Sequence, residues 1–236
     1  MKKNVNWSQA FAEVVLLGVG VALALLADSW YQAQENRTEE AAYLQALRTD
    51  FEETIANLTR NLEFNARIRD GNLEFLELLA SPRDSVSPQR LQELSADAFY
   101  INLFQPVLGT YRDMVNSGKL ELLRSDSLRI ALASFETDLE IAQAVVQEGF
   151  QQYNDIQVPF LIENLDVRAH NGGEHRGIRF PDPRREPRID AYWSIEFENI
   201  LATAIVSKGD IIAEGENLIR AAEMVLRLID DSVDAR

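Results

Sequence analysis

The stretch WSQAFAEVVLLGVGVALALLADSW, Trp7 to Trp30, decides how the rest of this chain is read. Its uncharged run, Val14 to Ala27, is 14 residues; taken back to Trp7 it is 21 residues, with Glu13 as the one charge. At ~1.5 Å rise per residue the longer stretch covers ~31 Å, about one hydrocarbon core. A cleaved signal peptide would also explain a short apolar run, and Ala22-Leu23-Ala24 offers a small-x-small pattern. Three features favour a retained span. Glu13 is foreign to a basic leader. Trp7 and Phe11 at one end, with Trp30 and Tyr31 at the other, form an interfacial aromatic belt. Beyond Ala27 the helical period continues without a break.

Charge orients the span. Lys2 and Lys3 precede it, whereas Asp28, Glu35, Arg37, Glu39 and Glu40 follow it, so the N-terminus is expected in the cytoplasm. Residues 1–6 then form a short cytoplasmic tail, 7–30 the transmembrane anchor in the bilayer, and 31–236 a periplasmic bundle at a bacterial inner membrane. The absence of cysteine fits that compartment. Net charge is −15, a surface that repels nucleic acid and anionic headgroups, so no nucleic-acid partner is expected.

Most of the chain has helical period. Leu44, Leu47, Phe51, Ile55, Leu58 and Leu62 recur at three or four residues. The stripe loosens around Asp70-Gly71-Asn72, where a kink or break is expected, and resumes at Leu73, Leu76 and Leu79. Ser81-Pro82 and Ser87-Pro88 bracket a loop, with Ser87 capping a short helix. Tyr111 to Asn116 reads as a short helix stopped by Gly118. Leu128, Leu132, Phe135, Leu139, Ala142, Val146, Gly149, Tyr153, Ile156 and Phe160 then alternate by four and three, a heptad-like seam that Pro159 should kink or end. The last helix, about residues 189–233, carries two seams. One is Leu201, Ala204, Ile211, Leu218, Ala222, Val225 and Ile229; beside it run Ile205, Ile212, Ile219, Leu226 and Val233. The expected fold class is all-α: one N-terminal transmembrane helix continuing into an elongated exoplasmic helical bundle.

Two stretches, AEVVLLGVGVALALLADSWYQ (from Ala12) and GTYRDMVNSGKLELLRSDSLRIALASFE (from Gly109), resemble an uncharacterised bacterial family of single-span membrane proteins, a domain of unknown function. Its members show a Glu-containing span followed by a long charged helix. Asp28-Ser29, where amides are expected, and Phe135-Glu136, where aromatics are expected, depart from that pattern. The resemblance implies architecture only.

No catalytic signature stands out. With no Cys, thiol chemistry is excluded. His170, Glu174 and His175 share a Gly-Gly loop that lacks the pre-organisation a metal site needs, so no metal and no cofactor are expected. Glu39-Glu40 and Glu52-Glu53 read as solvated faces. The sequons at Asn36 and Asn57 matter only in a eukaryotic secretory route.

Candidate contact residues for a partner lie in two places. In the span, Glu13 is costly unless it snorkels to headgroups, is protonated or pairs with another span. Gly18 with Ala22, and Gly20 with Ala24, form small-xxx-small pairs that allow close helix approach, and Trp30 closes the stretch. In the loop of about 166–188, Arg176, Arg179, Arg184 and Arg185 are forks for carboxylates, or else belong to a disordered crossover. The expected role is a non-catalytic accessory or structural subunit bound to other integral membrane proteins, with a respiratory or photosynthetic assembly as a natural host. A homo-oligomer is compatible with these features. The rival is a periplasmic ligand-sensing bundle acting through a separate membrane partner, since only six residues precede Trp7 and no cytoplasmic output domain is expected.

Overall fold

The structure is a computed structural model that describes residues 7–100, 102, 104–165, 174–175, 178–179 and 189–234. It is an all-α fold with one N-terminal candidate membrane helix running into a helical bundle. Helix α1, Trp7–Leu79, is followed by a 3-10 turn (Arg83–Ser85), α2 (Pro88–Ala98), α3 (Gly109–Asn116), a second 3-10 turn (Lys119–Leu122) and α4 (Asp126–Gln152). A π-helical turn (Tyr153–Gln157) joins α4 to α5 (Val158–Asn164). A two-residue ladder pairs β1 (Glu174–His175) with β2 (Ile178–Arg179), and a third 3-10 turn (Ile189–Trp193) leads into α6 (Ile195–Asp234).

Three long helices carry the bundle. Helix α6 packs antiparallel to α1: Arg48 pairs with Asp230, Leu62 lies against Gly215, and Phe75 meets Phe197 at 5.1 Å between ring centroids. It packs antiparallel to α4 and α5 as well, with Gly149 beside Ser207 and Phe160 stacked on Phe197 at 5.4 Å. Helices α1 and α4 therefore run parallel, touching at Phe51 and Phe135, 4.9 Å apart. Both seams expected on α4 and α6 exist. Leu128, Leu132, Phe135, Leu139 and Ala142 are buried, as are Leu201, Ala204, Ile211, Leu218, Ala222, Val225 and Ile229. The second α6 seam is half-buried at Ile205, Ile212, Ile219 and Leu226, and exposed at Val233.

Helix α1 departs from the expected pattern. It neither breaks nor stops at Gly71 but continues to Leu79. Its buried positions alternate by four and three without a slip: Glu40, Leu44, Leu47, Phe51, Thr54, Leu58, Asn61, Asn65, Ile68, Asn72, Phe75 and Leu79. The apolar stripe thins because amides occupy core positions. Leu73 is accordingly exposed, and Phe75 takes the place expected for Leu76.

On α4 the seam shifts at its end. Pro159 has no N–H to give the carbonyl of residue 155, and its ring crowds that carbonyl. The π turn takes up the mismatch, and the extra residue moves the seam by one. Ile156 is exposed, while Gln157 is buried in its stead. The last helix also starts later than expected, at Ile195, with Ser194 Oγ accepting from Phe197 N at 3.2 Å. Replacing Leu139, 3% exposed, by alanine is expected to cost ~2–5 kcal/mol in a denaturation series; a surface-sized change would mean that the α4 face is wrongly assigned.

Candidate functional site

The first part of α1 packs on nothing within the described residues. From Leu16 to Thr38 each residue is exposed, including Leu17, Val19, Leu23, Leu25 and Leu26. An apolar helix that leaves its leucines in the open is stable only where another apolar phase covers it, either lipid or protein. Length and composition make this segment a candidate span. A Cβ at Gly18 or Gly20 would meet nothing within 4 Å beyond the helix's own backbone, Ala22 and Ala24 are exposed, and Trp30 is 71% exposed. The backbone is helical at Glu13, whose side chain lies outside the described residues.

Bundle packing begins at Glu39 and Glu40, about six turns beyond Gly18. Here a return segment of the chain is latched to the base of α1. Thr54 Oγ1 bonds both the N–H and the carbonyl of Val107, at 2.9 and 3.1 Å. Asp50 accepts from Thr110 N at 2.8 Å, and Tyr43 donates to Asp113 at 3.2 Å. After α3 the chain turns at Gly118, whose φ of 71° is left-handed and suits glycine. That turn sends Lys119 to Glu39 at 2.6 Å and brings Arg124 to Glu40. Glu40 is 3% exposed and accepts twice from Arg124, from Nε at 2.8 Å and from the backbone N–H at 2.9 Å. The expectation of a solvated Glu39-Glu40 pair is therefore corrected. Glu40 sits in the seam and holds the latch, because a buried carboxylate needs a charged and hydrogen-bonded partner. Glu52 and Glu53 are exposed as expected. Above the latch Tyr111 is buried and donates to Glu136 at 3.0 Å; burial first, then that bond, push its hydroxyl pKa up to about 12.

Farther along, the bundle has two apolar clusters. The first gathers around Phe51, Phe135 and Leu218, the second around Phe75, Phe160 and Phe197. Between them α1 contributes Asn61, Asn65 and Asn72, the end of the α4 seam contributes Gln157, and α6 contributes Lys208. Asn72 donates to the carbonyl of Ala98, closing the C-terminal turn of α2. Lys208 is 4% exposed and forms no ion pair among the described residues. Burial lowers its pKa to about 8. Sequence reading missed it; its signal is the gap at position 208 in the heptad series that runs from Ala204 to Ile211.

The residues that follow the loop, from Ile189, lie at the far end. Arg83 reaches Asp190 at 3.9 Å and covers the Trp193 ring at 5.0 Å, so the residues flanking the loop sit beside the end of α1. From Trp30 to Leu79 the helix extends ~74 Å, so Asp190, which flanks the loop, is far from the span. Arg179 lies in β2, while Arg176, Arg184 and Arg185 fall outside the described residues, as does His170. Among the described residues no three His, Asp or Glu side chains gather as a metal site.

No curated protein and no solved structure matches this chain. A family model does match, over residues 13–141. That stretch begins in the exposed apolar segment, includes the whole latch and ends within α4, and it covers more than half of the 236 residues. The chain thus belongs to DUF6090, a family of unknown function.

Proposed function

We propose that this chain is a non-catalytic accessory or structural subunit of a larger bacterial membrane complex. Residues 7–30 hold it in the inner membrane with the N-terminus in the cytoplasm. The bundle stands in the periplasm and braces partner membrane proteins. One observation carries the reading: the apolar segment of α1 is bare on every side and continues unbroken into the buried seam that begins at Glu40. A tether would need only a flexible joint. A continuous helix, latched at its base by Glu40 and Arg124, fixes the direction of the bundle relative to the span. The bare faces at Gly18 and Gly20 support close approach by a helix of another protein. Two modest contacts, one in the membrane and one at the distal end, reinforce each other through effective concentration.

The test is gentle extraction from native membranes after crosslinking. The chain is expected to migrate within a larger complex. Gly20→Leu is expected to shift most of it to the free form, and deletion of residues 176–185 to loosen it independently. A monodisperse monomer, unchanged by crosslinking, would overturn the proposal, and a complex made only of this chain would replace it with a homo-oligomer. Because the chain has no cysteine, Gln34→Cys provides a single topology probe. It should react with an impermeant maleimide from the periplasmic side, and reaction only after lysis reverses the orientation.

A further inference from the structure

The apolar segment of α1 has a carboxylate at each end, Glu13 and Asp28. The uncharged run between them, Val14 to Ala27, is 14 residues, or ~21 Å of helix. A hydrocarbon core is ~30 Å thick, so in a bilayer the two positions cannot both stand at the headgroups. Tilting the helix only shortens its reach. An aspartate has one methylene, too short a stem to snorkel as lysine or arginine does. Asp28 accepts from the neutral amide of Gln32 at 3.2 Å and makes no ion pair among the described residues.

Both carboxylates fall on one line along the helix. At 3.6 residues per turn, Leu17, Gly20, Ala24 and Asp28 lie within ~60° of Glu13 around the axis. Because α1 is unbroken, the line can be followed out of the segment. Tyr31, Glu35, Ala42, Gln45, Thr49 and Glu53 continue it, and each is exposed. The buried seam of Glu40, Leu44, Leu47 and Phe51 is about half a turn away. Gly18 and Ala22 share the seam's side. The bundle therefore stands over the Gly18 side of the segment and leaves the Glu13–Asp28 side open along the helix.

We infer that the Glu13–Asp28 side of α1 docks on a helix of another membrane protein, one that carries a lysine or arginine near each face of the bilayer, opposite the two carboxylates. The inference deepens the accessory-subunit reading and rests on it. Charge within a membrane is tolerated where an opposite charge meets it. Here two charges ~22 Å apart on one line must be met, which a single helix lying alongside achieves. Gly20 and Ala24, between them, leave room for the close approach that short carboxylates require. A second copy of this chain has the wrong charge. Its own sequence has no lysine or arginine from Asn4 to Asn36, so a parallel pair would set carboxylate against carboxylate.

The test is photocrosslinking of the full chain in native membranes. The probe is p-benzoylphenylalanine, placed singly at Leu17 or Tyr31 on the open side and at Val19 or Ser29 on the seam side. Adducts are mapped by peptide mass spectrometry. Leu17 and Tyr31 are expected to crosslink one partner protein, on a helix with lysine or arginine at both ends, and Val19 and Ser29 to give mainly lipid adducts. Glu13→Gln combined with Asp28→Asn should lower the protein adduct about tenfold or more, since a membrane-buried cation then loses its counter-charge. Both positions lie outside the bundle, so its helical circular dichroism should not change. Glu13→Lys should abolish the adduct, and exchanging the partner's facing lysine or arginine for glutamate should restore it. Adducts on lipid alone, on a second copy of this chain or equally from all four positions would overturn the inference, as would indifference to the neutral variants. If the complex survives extraction but only Val19 and Ser29 crosslink, the accessory-subunit reading stands and this inference falls. A free monomer in native membranes overturns both.

Discussion

Phe197→Ala is expected to cost ~3–5 kcal/mol and to loosen the distal end of the bundle before the rest. Phe197 is fully buried, and four rings surround it: Tyr192 at 5.0 Å, Phe75 at 5.1 Å, Phe160 at 5.4 Å and Phe99 at 6.1 Å. They come from α1, the end of α2, α5 and the 3-10 turn before α6, and Phe197 itself belongs to α6. One side chain therefore joins five segments, and removing it opens a cavity that none of them can close alone. The apolar cluster around Phe51 is separate, and the polar layer divides the two, so the loss should be local at first. Trp193 packs against the distal cluster, whereas Trp7 and Trp30 stand in the apolar segment of α1. Fluorescence of a chain with Trp7 and Trp30 replaced by Phe then reports the distal end alone. In Phe197→Ala its midpoint in denaturant should fall below that of the helical circular dichroism signal. A single coincident transition, shifted by less than ~1 kcal/mol, would show that the aromatic cluster does not carry that end.

Lys208→Met is expected to stabilise the protein at neutral pH, by on the order of 3 kcal/mol. The sign follows from linkage. An ordinary lysine titrates near 10.5, and burial lowers Lys208 to about 8. At pH 7 both folded and unfolded chains carry the charge, and the folded one bears its desolvation. Between pH 8 and about 10 the unfolded chain binds the extra proton, so stability rises with pH in that window. Above about 10 the trend reverses. Tyr111 and Tyr192, both raised by burial, stay protonated in the fold after unfolded tyrosine has begun to ionise. The wild-type chain should therefore be most stable near pH 10. Lys208→Met should lack the rise from pH 8 and keep the fall above pH 10. A destabilised Lys208→Met chain that keeps the full rise would mean that Lys208 has a favourable partner in the fold.

What could be read from the sequence alone was what depends on one segment. The apolar run from Val14 to Ala27 needs no partner to be recognised as a candidate span, since its composition is sufficient. The seams of α4 and α6 were legible because leucine, isoleucine and valine repeat at heptad spacing over several turns. Ser87 and Gly118 mark ends through their own backbone preferences. What only the tertiary structure decided was which polar residues are inside. Asn61, Asn65 and Asn72 break the apolar stripe of α1 yet occupy its core positions, because helices from elsewhere in the chain cover that face. Glu40 looks like one more exposed acid until Arg124, 84 residues on, reaches it. Lys208 reads as a gap between Ala204 and Ile211 and is buried with its charge. The π turn before Pro159 moves the seam from Ile156 to Gln157, a shift that a fixed period cannot foresee. The reason is the same in each case. Apolar periodicity is a property of a segment, whereas the burial of a polar group is set by what other segments bring to it.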